Sequence, residues 1–111
     1  MKDIDDDLQT LMADAAEAAA GCLRALSNPS RLLLLCQLVE TEKSVSELES
    51  ALGLNQAYVS QQLARLRGEG MVAATREGRT VRYRIADERV TPLLVVLYQQ
   101  FCRPEEEKAR T

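Results

Sequence analysis

The chain has 111 residues, 46% hydrophobic and 28% charged, which suits one soluble globular domain over residues 1–111. Its longest apolar runs are broken by Gln37 and Glu40 or by Pro92 and Gln99, too early to span a bilayer. The acidic opening MKDIDDDLQT lacks the order of a signal peptide, and three cysteines, an odd number, argue against a secreted disulfide framework. A cytoplasmic protein is expected.

The net charge of −3 conceals an asymmetry. Residues 1–20 carry a net −5, whereas residues 55–86 carry a net +4 from Arg65, Arg67, Arg76, Arg79, Arg82 and Arg84 against Glu69 and Glu77. A basic segment inside an acidic chain suits either an anionic partner or a plain solvated face.

From the N-terminus, Leu8, Leu11, Met12, Ala15, Ala19, Cys22, Leu23 and Leu26 recur at helical spacing and predict an acidic first helix over about 5–26. Gly21 weakens it by roughly 1 kcal/mol and marks a candidate bend. The stretch SNPS ends that helix and starts the next, with Asn28 as cap and Pro29 in the first turn. Leu32, Leu35, Cys36 and Val39 form an i, i+3, i+4, i+7 stripe, which predicts that Cys36 faces the core. In SELES, Ser46 and Glu49 have capping-box spacing for a short third helix, and Gly53 supplies its left-handed stop. Asn55 caps a fourth helix through about Arg67. The short link between the third and fourth helices forces a steep crossing, the helix-turn-helix layout.

After GEG the period falls from 3.6 to 2. MVAAT pairs with TVRYRI across REGR to give a two-stranded hairpin with an arginine-rich tip. Asp87 or Thr91 caps a fifth helix in which Leu93, Leu94, Val96, Leu97, Tyr98, Phe101 and Cys102 leave most sides apolar. Such a helix needs cover on more than one face, which predicts a homodimer contact. Residues of about 104–111 read as a frayed tail. The fold class is mainly α, a winged helix-turn-helix of five helices with a two-stranded β-wing.

On a wheel of 100° per residue, Val59, Leu63 and Leu66 of the fourth helix turn inward. Ala57, Ser60 and Ala64 lie opposite, bordered by Gln56 and Gln61. A face small in its middle and amide-rich at its borders can approach the floor of the major groove, where glutamine reads adenine edges. Arg65 and Arg67 suit phosphates, and Arg76 and Arg79 at the hairpin tip suit the backbone or minor groove beside it. The expected partner is double-stranded operator DNA.

Helix, helix, helix-turn-helix, wing and helix in this order resemble the ArsR/SmtB family of dimeric winged-helix repressors. The resemblance covers residues 22–102 and rests on LRALSNPSRLLLLCQL, SVSELESALGLNQAYVSQQLARLRGEGMV and REGRTVRYRIAD. It implies base contacts from Gln56, Ser60 and Gln61 and a wing contact from Arg79. Gln62 departs from the histidine many relatives carry, with little consequence expected. Metal-sensing members use cysteines opening the third helix or carboxylate–histidine pairs on the last. Here the third helix opens with SVSEL and the chain has no histidine, so no metal and no cofactor are expected.

Cys36 in LCQL and Cys102 in YQQFC resemble the paired cysteines of the BigR/SqrR-type persulfide-responsive repressors and the related HlyU regulators. In that group a disulfide or polysulfide bridge joins the pair and releases DNA. The resemblance implies reactive sulfur species as inducer, with Arg103 placed to favour the Cys102 thiolate. Cys22 falls on the first helix's apolar stripe and reads as a small buried hydrophobe. A response to a metalloid or a general oxidant, and a winged-helix module for protein contact, stand as alternatives. An enzyme is not expected, for want of histidine, a phosphate-binding loop or a nucleophile–base pair.

Overall fold

The computed structural model describes residues 2–102. The expectations for the tail of about 104–111 and for Arg103 lie outside the described residues. The elements run α1 (Lys2–Leu26), α2 (Pro29–Glu40), β1 (Lys43–Ser44), α3 (Val45–Leu52), α4 (Gln56–Gly68), β2 (Val72–Glu77), β3 (Thr80–Ile85) and α5 (Val90–Phe101). No helix among the described residues is long and apolar enough to cross a membrane.

Caps written in the sequence set most boundaries. Asn28 accepts from the Arg31 amide at the head of α2, with Pro29 in its first turn, and Asn55 accepts from the Tyr58 amide at the head of α4. Gly53 ends α3 in the left-handed region. At the end of α4 the Gly70 amide donates to the Arg67 carbonyl and the Met71 amide to the Leu66 carbonyl. This double bond pattern needs a left-handed residue, and Gly70 supplies it at φ 77°. The chain is thereby turned so that Met71 drops into the core and β2 begins.

Three local expectations are corrected. The capping box uses Ser44 and Glu47, not Ser46 and Glu49: Ser44 Oγ accepts from the Glu47 amide, and Glu47 Oε1 accepts from the Ser44 amide. Both pairs have the same spacing. Ser44 wins because it pairs with Arg82 across the sheet, which holds its backbone extended as a cap requires. The head of α5 uses neither expected residue as its cap. Arg89 occupies the cap position without a side-chain bond, Thr91 lies inside the helix, and Asp87 instead accepts from the Arg89 amide in the preceding turn. Finally, α1 continues as one helix through Gly21.

The sheet is antiparallel in the order β1-β3-β2. The wing is the expected hairpin: Val72 faces Ile85 and Glu77 faces Thr80, which leaves Gly78 and Arg79 as a two-residue turn with Gly78 at φ 62°. The third strand, β1, was not expected. Two residues carry no periodic signal, and only the edge of β3 makes them a strand.

The core joins the end of α1, α2, α3, α4, the start of β2 and the start of α5. Leu34, Leu35, Leu48, Val59, Leu63, Leu66 and Val90 are fully buried, each side chain contributing roughly 1.5–3 kcal/mol of transfer free energy. The inward face of α4 is the one expected. The inward face of α2 is not: Leu34, Leu35 and Leu38 are buried, while Cys36 is exposed. Leucines surround this helix, so its periodicity does not select a side. Cys22 is 4% exposed and packs in the core as a small hydrophobe.

Candidate nucleic-acid interface and thiol groove

The helix-turn-helix presents the expected face. Gln56, Ala57, Ser60, Gln61, Ala64, Arg65 and Arg67 are all exposed along α4, with no acidic residue among them. The wing places Arg76 and Arg79 at its exposed tip. Neither makes an ion pair among the described residues.

The other two wing arginines have structural work. Arg82 donates to Glu47 Oε1 at 3.2 Å and lies 3.4 Å from Glu77 Oε2, tying the wing to α3. Hydrogen bonds from Ser44 in the capping box, and secondly the Arg82 charge, hold the Glu47 carboxyl below its ordinary range. Arg84 donates to Thr75 Oγ1 across the hairpin at 2.6 Å.

A further junction escaped the sequence reading. Arg31 donates through Nε to the Ala25 carbonyl at 2.7 Å, through Nη2 to the Arg24 carbonyl at 3.2 Å, and through Nη1 to Gln62 Oε1 at 3.2 Å. One guanidinium thus joins the end of α1, the head of α2 and the buried side of α4. Gln62 is 6% exposed, so its amide has little access to water, and Arg31 satisfies its oxygen. The one available signal was a polar residue between Val59, Leu63 and Leu66 on the inward face, which demands a partner.

Elsewhere, α2 and α5 flank a groove of about 440 Å³. Cys36 and Cys102 both line it, with Leu32, Leu33, Leu97 and Phe101 among the other walls. Separated by 66 positions in the sequence, the two thiols share one apolar depression. Burial against this wall, and secondly the neighbouring Cys102, push the Cys36 thiol above its ordinary range. A second depression continues past Cys36 toward Val39, Glu40 and Val95.

Large apolar side chains remain uncovered along α1 and α5. Leu11 is 65% and Phe101 74% exposed, with Leu8, Met12, Leu23, Val95, Val96 and Tyr98 also open to solvent. The radius of gyration is 17.4 Å, against roughly 13 Å for a compact chain of this length.

Residues 28–74, which hold α2, the helix-turn-helix and the start of the wing, match the model of the bacterial regulatory proteins of the arsR family. The Biofilm growth-associated repressor of Agrobacterium fabrum is 42% identical over 95 residues, covering 86% of this chain and 81% of that protein. The chain belongs to the arsR family. Among solved structures, the transcriptional repressor BigR from Xylella fastidiosa matches this arsR-family chain with a TM-score of 0.80 at 40% identity, over 86% of this chain and 98% of that one. A homodimeric winged helix-turn-helix DNA-binding domain from Mycobacterium bovis matches with a TM-score of 0.68 at 35% identity, over 78% and 80% of the two chains. The fold of this arsR-family protein is accordingly a winged helix, mostly helical, with a three-stranded antiparallel sheet.

Proposed function

We propose that this arsR-family chain is a cytoplasmic, homodimeric transcriptional repressor whose hold on operator DNA is released when reactive sulfur species join Cys36 to Cys102. The observation that carries this reading is the meeting of the two cysteines, from distant parts of the sequence, in one groove between α2 and α5. Cys102 at the exposed end of α5 makes the first attack, and Cys36, whose thiol is held up by burial, closes the bridge.

Operator contact falls to α4 and the wing. Gln56, Ser60 and Gln61 meet base edges, Arg65 and Arg67 the phosphates, and Arg76 and Arg79 the backbone or minor groove beside them. The uncovered faces of α1 and α5 form the contact with a second copy. In such a dimer two reader helices address half-sites about 34 Å apart, or a multiple of that distance. A bridge fixes α2 against α5, the dimer helix. From α2 the constraint reaches the reader through Arg31 and Gln62. The spacing of the two readers then no longer fits the DNA.

The test is direct. Reduced protein is treated with a sulfane-sulfur donor, and its intact mass and operator affinity are followed together. The expected result is a Cys36–Cys102 linkage and a loss of affinity by orders of magnitude. A linkage without loss of affinity, or a loss of affinity without linkage, overturns the switch. Absence of duplex binding by the reduced protein overturns the repressor reading itself.

A further inference from the structure

The walls of the thiol groove are apolar, and no charged side chain lines it among the described residues. Among the described residues, the adjoining depression beyond Cys36 is lined by one charged side chain, the carboxylate of Glu40. Glu40 is largely exposed and only loosely paired, with Lys43 Nζ 3.7 Å away. An anion approaching Cys36 would therefore give up hydration to an apolar wall and meet a carboxylate. An uncharged donor with alkyl arms meets neither cost and gains contact with Leu32, Leu33 and Leu97. The groove, open to solvent and about 440 Å³ in volume, has room for a small organic molecule.

We infer that the groove is a recognition site for uncharged, alkyl-bearing polysulfanes, which it selects over carboxylate-bearing sulfur donors. This inference rests on the switch proposed above and specifies the donor that it takes.

The chemistry balances without another reagent. In a dialkyl trisulfide, the Cys102 thiolate attacks the central sulfur, and the bond from that sulfur to one outer sulfur breaks. An alkyl thiolate leaves and takes up a proton. The product is a mixed trisulfide of Cys102 Sγ, the former central sulfur and the remaining alkyl sulfur. The Cys36 thiolate, having lost its proton to solvent, then attacks the former central sulfur and expels the second alkyl thiolate. Two protein thiols are oxidised by two electrons, and the donor is reduced to two alkyl thiols. The protein retains one sulfur as a Cys36–S–Cys102 bridge.

The test compares diethyl, dipropyl and dibutyl trisulfide with bis(2-carboxyethyl) trisulfide on the reduced full-length protein. Bridge formation is timed by intact mass, and each rate is divided by that of the same donor with a small uncharged thiol. The normalised rate with dipropyl trisulfide is expected to exceed that with the dicarboxylate at least tenfold. It should rise with chain length by up to about fourfold for each methylene fully buried. Glu40→Lys should speed the dicarboxylate without changing dipropyl trisulfide, and Leu33→Gln, at an exposed wall position, should slow dipropyl trisulfide alone. Equal normalised rates, or rates that fall with chain length because a second copy seals the groove, overturn the selectivity and leave the switch standing. Failure of every donor to bridge the cysteines overturns both.

Discussion

Replacing Gln62 by leucine tests whether the Arg31 junction holds the reader helix. The exchange puts an apolar side chain of similar size between Val59, Leu63 and Leu66 and removes the acceptor at 3.2 Å from Arg31 Nη1. A hydrogen bond to a charged donor contributes about 1.5–3 kcal/mol. Arg31 retains its bonds to the Ala25 and Arg24 carbonyls, so its charge is not stranded. Burial of the new methyl groups returns part of the loss. The net expectation is a destabilisation of about 1–2 kcal/mol, or roughly 4–10 °C in Tm. Urea unfolding at one fixed protein concentration measures it, since a dimer's apparent stability depends on concentration. Gln62→Glu keeps an acceptor and should lose less at neutral pH. The second readout is coupling: the leucine variant should form the Cys36–Cys102 bridge at the normal rate yet lose much less operator affinity on bridging. Stability unchanged within about 0.5 kcal/mol, together with an unchanged ratio of reduced to bridged affinity, would refute the reasoning.

Cys36→Ser should bind operator normally but stay on it after sulfur treatment, with a mixed polysulfide trapped on Cys102 and visible by mass. Because the Cys36 thiol titrates above its ordinary range, the closing step in the unaltered protein should still accelerate with pH where an ordinary thiol has already levelled off. Arg79→Ala should weaken operator binding about equally across sequences and lower the salt slope of log affinity by about 0.9, read from binding titrations at several salt concentrations. Hydrogen bonds from the Arg89 side chain and amide hold Asp87 down at about 2. Its folded-state pKa is depressed, so its contribution is present above the ordinary carboxylate range and lost as pH falls toward 2. Acid unfolding of Asp87→Asn should lack that component. Phe101→Glu places a charge on the most exposed apolar side chain of α5 and should shift the protein toward monomer in sedimentation, with operator affinity falling in step.

The sequence by itself determined the five helices, the wing hairpin and the exposed face of α4. Asn28 and Asn55 cap their helices, Gly53 stops one, and the inward set Val59, Leu63 and Leu66 leaves Gln56, Ser60 and Gln61 outside. Caps and periods act over a few residues, so the chain's own order contains them. Tertiary structure decided the rest. A leucine-coated α2 has no preferred side until α3, α4 and α5 pack around it, and their placement turned Cys36 out of the core and into the groove. The same holds for the choice of Ser44 over Ser46 as a cap, which follows from pairing with β3. Arg31 and Gln62 stand 31 residues apart, Glu47 and Arg82 35. Such partners carry no local signature, because what selects them is the distance left between helices and strands once the hydrophobic core has closed.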